Sequence, residues 1–285
     1  MLRRDDPSER LLLIKVGGKK MPSATLKSRI ANQIRILFPR LWMERELRFR
    51  PNHFEQEFWL VPIFCDERKI AIDVGANMGL YSYFMAKFSK NVIAFEPNTD
   101  LWPDLRRLLG LDFHLEAAAL SEKSATATLL VDNSNTGVST IEEKNQLVCV
   151  HDHSAVVPRV VETRTLDSFN ISNVSMIKID VEGHEEAVVS GARKTIELNR
   201  PVLIIESEDR HNPGAPIRLT GTLAELGYLA FYLKNQQLME FSTLCSEDTD
   251  PENINRRLPY INNFIYIPAE QGAKIERVQA FLSAG

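Results

Sequence analysis

Ile70 to Gly79 reads IAIDVGANMG, an apolar run that ends in glycine and opens onto a helical pattern. Gly75 and Gly79 let a backbone turn sharply and come close to a ligand. The helix that follows offers unpaired N–H groups and the positive end of its dipole, a seat for a carboxylate or phosphate. Glu96 stands twenty-one residues after Gly75, at the end of the next strand pattern. A carboxylate there can accept both hydroxyls of a ribose. A second cluster lies in SMIKIDVEGHE, Ser175 to Glu185, where Asp180 closes a strand and Glu182, His184 and Glu185 follow. The next strand, in PVLIIESE, ends at Glu206. If these strands are neighbours, two carboxylates and Lys178 meet at one rim.

Strand, glycine loop, helix, strand and acid serve both dinucleotide-dependent oxidoreductases and methyltransferases that use S-adenosylmethionine. The dinucleotide fingerprint G-x-G-x-x-G needs a second glycine where the pyrophosphate approaches; Asn77 stands there instead. Asp73, two residues before Gly75, would repel a pyrophosphate but can accept bonds from an ammonium group. S-adenosylmethionine is therefore the expected cofactor, with the dinucleotide oxidoreductase as the alternative. A Cβ at Gly75 is expected to obstruct the ligand and leave the fold intact.

Asp180, at a strand end, is the first choice for acid–base work, against a structural alternative of capping the next helix. A histidine titrates near operating pH, so His184 could take a hydroxyl proton. Glu206 faces the same rim, and Lys178 and Glu182 are expected to contact the acceptor. Glu185 reads as a first-turn residue favoured by the helix dipole. Magnesium on Asp180 and Glu206 would suit hard oxygen ligands. His151-Asp152-His153 reads as a solvated loop, since a zinc site needs further ligands.

These residues need a frame. Strands are expected at Lys69–Val74, Asn91–Phe95, Phe113–Leu120, Met176–Asp180, Pro201–Glu206, Tyr228–Leu233 and Asn263–Ile267. Helices are expected at Leu80–Phe88, Asp100–Leu109, Glu185–Leu198 and Ile217–Leu226, with a short one from Glu270. Between them, residues 121–163 read as an insertion with a hairpin and loops. Alternating strands and helices make a doubly wound α/β fold with a mostly parallel sheet, and the last strands suggest an antiparallel edge. Ligands of such sheets sit at the carboxyl ends of the strands.

IDVGANMGLYS, AFEPN, TLDSF, IKIDVEGHEE and PVLIIE follow one another in the order and spacing of the FkbM-type methyltransferases, which the chain resembles over roughly residues 55–267. The resemblance implies a Rossmann-like class I methyltransferase with a seven-stranded sheet. It implies O-methylation of a sugar, glycan or natural-product hydroxyl by S-adenosylmethionine. Matched by motif, Asp73, Gly75, Asn77 and Gly79 would hold the methionine end, with Tyr81 and Ser82 at the helix start. Glu96 would hold the ribose, and Ala118 and Ala119 would border the adenine. Asp180, Glu182 and His184 would face the acceptor, the base among them unassigned. Residues 1–54 lie outside the resemblance as a helical lead-in to a methyltransferase domain of residues 55–285, and residues 121–163 are expected to choose the acceptor.

The 285 residues are 44% hydrophobic and 25% charged, which excludes disordered, collagenous and coiled-coil chains. Three cysteines without a CxxC pair suit a reduced compartment. With no apolar run of membrane-spanning length and no export signal, the expectation is a cytoplasmic protein. Residues 1–50 carry thirteen Lys or Arg against five Asp or Glu, a balance of +8, and the rest carry twenty-one against thirty-three, a balance of −12. Leu26, Ile30, Ile34 and Leu37 form an amphipathic helical stripe, expected to dock on the domain, with peripheral contact at the inner membrane face as its alternative. A small-molecule or glycan acceptor is the expected partner, and no nucleic acid. A catalytically silent membrane- or polyanion-binding module is the remaining alternative.

Overall fold

The computed structural model describes residues 37–111, 113–132, 139–142, 145, 156–256 and 258–284. The stripe from Leu26 to Ile34 and the His151-Asp152-His153 triplet lie outside them. The strands are β1 (Ile70–Val74), β2 (Asn91–Phe95), β3 (His114–Glu116), β4 (Ala119–Leu120), β5 (Ala125–Asp132), β6 (Val156–Arg164), β7 (Val174–Ile179), β8 (Val202–Glu206), β9 (Tyr228–Lys234), β10 (Gln237–Glu240) and β11 (Asn263–Pro268). The α-helices are α1 (Pro39–Phe49), α2 (Val61–Phe64), α3 (Leu80–Met85), α4 (Trp102–Leu109), α5 (Glu185–Gly191), α6 (Arg193–Asn199), α7 (Ala215–Glu225), α8 (Glu252–Arg256) and α9 (Gly272–Ala284). Among the described residues, no helix is long and apolar enough to cross a membrane.

The main sheet runs β10-β9-β11-β8-β7-β1-β2-β3. Its central pairs, β7–β8, β1–β7, β1–β2 and β2–β3, are parallel. β11 lies antiparallel between β8 and β9, and β10 is antiparallel to β9. The fold is a doubly wound, Rossmann-like α/β sheet with the expected antiparallel edge. Among the described residues the sheet has eight strands rather than seven. The extra one, β10, is a short, half-exposed hairpin return whose sequence QLME carries no apolar run.

Strand parity divides the core into two layers. Ile72, Val74, Ile177, Ile179, Leu203 and Ile205 face Val188, Val189, Ile196, Leu219 and Leu223 of the helices on one side. Ala71, Met176, Val202, Ile204 and Ile265 face Phe58, Phe64, Phe84 and Val278 on the other. Phe58 stacks on Phe84 with centroids 4.4 Å apart, and so ties the segment before β1 to α3.

The expected strand at 113–120 is broken. β3 pairs with β2, but β4 leaves the sheet to pair with β6, making a small second sheet of order β4-β6-β5. β5 and β6 form the antiparallel hairpin expected of the insertion, paired from Ala125↔Thr163 to Asp132↔Val156. The expected helix at 185–198 is also broken, into α5 and α6. A Cβ added at Gly191 would stand 2.0 Å from the Ser121 carbonyl oxygen, so the missing side chain lets the end of β4 lie against the helix.

Candidate active site

Where the parallel strands end, a cavity opens to solvent. Gly75, Asn77, Glu96, Ala118, Ala119, Asp180, Glu182 and His184, all expected from the sequence, line it. Val74, Phe95, Leu120, Leu129 and Ile141 supply apolar wall, and the last two come from the insertion.

The glycine loop is built by backbone geometry. Gly75 has φ +81°, and its added Cβ would lie 1.8 Å from the Asp180 carbonyl oxygen. The first turn is therefore fixed by the neighbouring strand end as much as by any ligand. Gly79, also at positive φ, caps α3 and packs against Leu105, away from the cavity wall. Asn77 takes a left-handed φ of +46° and donates its N–H to Glu96 Oε2 at 2.8 Å. Glu96 Oε1 accepts the Asn98 N–H at 2.7 Å. Burial pushes the Glu96 carboxyl up to about 7 against the pull of these two bonds. Its remaining lone pairs are free to accept further donors. Asn77 Oδ1 is buried without a hydrogen-bond partner among the described residues. A buried acid with spare lone pairs, an orphaned amide oxygen and an apolar wall fit a nucleoside such as that of S-adenosylmethionine.

Asp73, Tyr81, Ser82 and Lys178 lie beneath this wall rather than on it. Asp73 and Lys178 are register partners on β1 and β7, on the face that buries Ala71 and Met176. Asp73 accepts the Ser82 hydroxyl at 2.6 Å, and burial raises its carboxyl to about 6. Lys178 is 1% exposed. Its Nζ donates to Asn263 Oδ1 at 3.0 Å and stands 3.7 Å from Asp180 Oδ2 and 4.0 Å from Glu206 Oε2. Tyr81 puts its ring 5.1 Å below the same ammonium and donates its hydroxyl to Glu55 at 3.0 Å. Burial alone would lower the Lys178 pKa, but Asp180, Glu55, Glu206 and Asp73 hold it above the ordinary lysine range. A lysine so enclosed cannot touch an acceptor; it acts by holding the two acids. It also stands beside both carboxylates that were expected to take magnesium. Among the described residues, no three His, Cys, Asp or Glu side chains converge to hold a metal ion.

Glu206 sits at the end of β8, outside the cavity lining, where Asn262 donates to it at 2.7 Å. Burial and the charge on Asp180 push its carboxyl well above the usual range. Behind it, buried Glu208 accepts from Tyr260 at 2.6 Å and from Arg210 at 2.8 Å. Asp180 is the half-buried acid of the rim, its N–H donated to the Val74 carbonyl at 3.0 Å.

The turn after Asp180 is clamped by the insertion. Thr140 Oγ1 and Asn145 Nδ2 each donate to the Glu182 carbonyl at 2.8 Å, and Glu182 itself sits at φ +54°. Both ring nitrogens of His184 are engaged: Nε2 with Ser121 Oγ at 2.9 Å and Nδ1 with Glu142 Oε2 at 3.2 Å. His211 Nε2 lies 3.2 Å from Glu182 Oε2, without the alignment of a hydrogen bond. Burial, then the charges of Asp180 and Glu208, raise the Glu182 carboxyl to about 9. Glu185 is buried, with one oxygen on the Gly183 N–H at 2.8 Å, and burial raises it to about 8.

Asp73, Glu96, Glu185 and Glu182 thus bind protons more readily folded than unfolded. Their contribution to stability is whole in acid and is lost as the pH climbs through about 6, 7, 8 and 9. The ligand-free protein is expected to melt at progressively lower temperature across that range. Glu182→Gln should flatten the alkaline end of the curve in differential scanning calorimetry. A melting temperature independent of pH there would show these groups to be solvated.

Glu55, Ser121, Glu142, Glu208, Arg210, Tyr260, Asn262 and Asn263 were not expected at the site. They come from loops or strand starts far along the chain and belong to no spaced motif. Only the clustering of polar residues in ESEDRHN after β8 marked that stretch.

An FkbM methyltransferase structure from Methylobacillus flagellatus is 15% identical, covers 76% of this chain and 46% of its own, and superposes with a TM-score of 0.46. An O-methyltransferase structure from Bacillus cereus in complex with S-adenosylhomocysteine is 16% identical, covers 84% and 96%, and has a TM-score of 0.40. A protein of Dictyostelium discoideum that carries the name of a methyltransferase is 32% identical over 71 residues, 25% of this chain and 27% of its own length. The match thus spans about a quarter of that relative. Residues 73–230, from the acid of β1 to the middle of β9, match the Methyltransferase FkbM domain, and the chain belongs to that family of methyltransferases.

Proposed function

We propose that the protein is an S-adenosylmethionine-dependent O-methyltransferase acting on a hydroxyl of a sugar, glycan or natural-product acceptor. The observation that carries this reading is Glu96: a buried carboxylate in the cavity wall, held by two backbone N–H groups with lone pairs to spare. When bound, the donor supplies a methyl group on a positively charged sulfur. The chain supplies the rest. Glu96 accepts the ribose hydroxyls, and Ala118, Ala119 and Leu129 exclude water around the base. The Gly75 turn brings the backbone against the donor.

Transfer from sulfur to oxygen requires that the hydroxyl lose its proton as the new bond forms. Asp180 is the acid in the lining that is half-exposed to a ligand and steadied from below by Lys178. It takes the hydroxyl proton. Glu206, fixed by Asn262 at the neighbouring strand end, faces the ammonium of Lys178 beside Asp180. His184, with both ring nitrogens bonded, holds the turn in place and moves no proton.

Calorimetry with S-adenosylhomocysteine tests the donor site. Glu96→Ala should weaken binding by about 1.5–3 kcal/mol, the cost of losing bonds to a charged acceptor. Unchanged affinity would remove Glu96 from the site, and absence of any binding by the wild-type protein would remove the donor itself.

A further inference from the structure

Helix α1 turns outward a face that the methyltransferase core does not use. Met43 and Glu46 are buried against the domain. Arg40 donates to the carbonyls of Leu108 and Leu109, both at 2.7 Å, at the end of α4. Glu44 bonds the Tyr83 hydroxyl at 2.6 Å and pairs with Lys87. The helix is therefore mounted rigidly, and its outer side faces away from the described domain.

That side is apolar and basic. Leu41, Arg45 and Arg48 follow at spacings of four and three and share a stripe, with Phe49 one turn beyond Arg45. Leu41 is 65% and Phe49 69% exposed, and Leu37 and Phe38 just before the helix are 68% and 58% exposed. Arg48 rests over the Phe49 ring at 5.5 Å. Glu44 makes its bonds on the docked side, and buried Glu46 pairs with Arg45 and Arg50, both at 3.5 Å. Single exposed apolar residues need no explanation, but four on one short element form a patch.

We propose that this face of α1 is an interfacial anchor that lays the protein on an anionic lipid surface. Leu41, Phe38 and Phe49 would enter the boundary between headgroups and acyl chains, while Arg45 and Arg48 meet the phosphates. Charge complementarity favours this occupant. The first fifty residues carry +8 and the remainder −12, so an anionic surface attracts this end and repels the rest. A second copy is a poorer match, because a two-fold contact through α1 would set Arg45 and Arg48 against their own equivalents.

Co-sedimentation of the full chain with vesicles tests the proposal. Binding is expected to vesicles of mixed phosphatidylcholine and phosphatidylglycerol, weak or absent with phosphatidylcholine alone, and to fall about tenfold or more in high salt. Leu41→Asp with Phe49→Asp should abolish it at unchanged melting temperature. Should that pair of changes lower the melting temperature, Leu37→Asp with Arg48→Glu, both on exposed side chains outside any ion pair among the described residues, decides in its place. No binding to the anionic vesicles, equal binding to both kinds, or binding that survives the deciding variant overturns the proposal. So does a lipid-free dimer, seen by light scattering, that Leu41→Asp with Phe49→Asp dissociates.

Discussion

Gly75→Val is expected to yield no cooperatively folding protein. The sequence pattern suggests a collision with ligand, yet the nearest obstacle is the Asp180 carbonyl oxygen, 1.8 Å from an added Cβ. Backbone cannot swing aside as a side-chain tip can, and β7 is hydrogen-bonded on both edges, to β1 and β8. A positive φ adds about 1–2 kcal/mol for any residue with a Cβ. Overpacking adds about 1–3 kcal/mol or more. Even Gly75→Ala should therefore lose about 2–5 kcal/mol, a large share of a typical stability of about 5–15 kcal/mol. Circular dichroism melts measure this directly. A Gly75→Val protein that melts like wild type and merely fails to bind donor would show that the loop relaxes away from β7.

Asp180→Asn should leave S-adenosylhomocysteine affinity within a few-fold and lower turnover by about 10²–10⁴, the range for a lost acid–base group. Single-turnover transfer of a labelled methyl group to a hydroxyl acceptor reads the effect without interference from product release. His184→Ala should cost less, because its ring supports the turn through Ser121 and Glu142. If Asp180→Asn turned over normally, the proton would have to leave by another route, and Glu206 would be the next acid to replace.

The parts of the fold legible in the sequence are those with a strong local signature. β1, β2, β7 and β8 are apolar runs ending in an acid or glycine, and each is found within a residue or two of where it was expected. The site residues that line the cavity are those attached to such strand ends: Gly75, Asn77, Glu96 and Asp180. What escaped notice depends on register and distant approach. Lys178 looks like a rim residue beside Asp180, but parity with Asp73 buries it. β3 and β4 form one β-prone run that nothing local divides; the division follows from pairing with β6, some forty residues on. Ser121 and Glu142 meet His184 only because the insertion folds back over the turn.

The strand β11 fills the gap between β8 and β9, so this side of the sheet is completed by a strand made after β9 and β10. During synthesis, β1, β2, β7 and β8 can assemble as their helices emerge, but β8 keeps an open apolar edge until residues 263–268 leave the ribosome. Asn263, which anchors Lys178, arrives with that strand. The acids of the rim therefore gain their fixed cation only after residue 263 has been made. A nascent chain halted between β9 and β11 would expose an edge competent to pair with other strands, which makes this interval the one in which the protein most needs a chaperone.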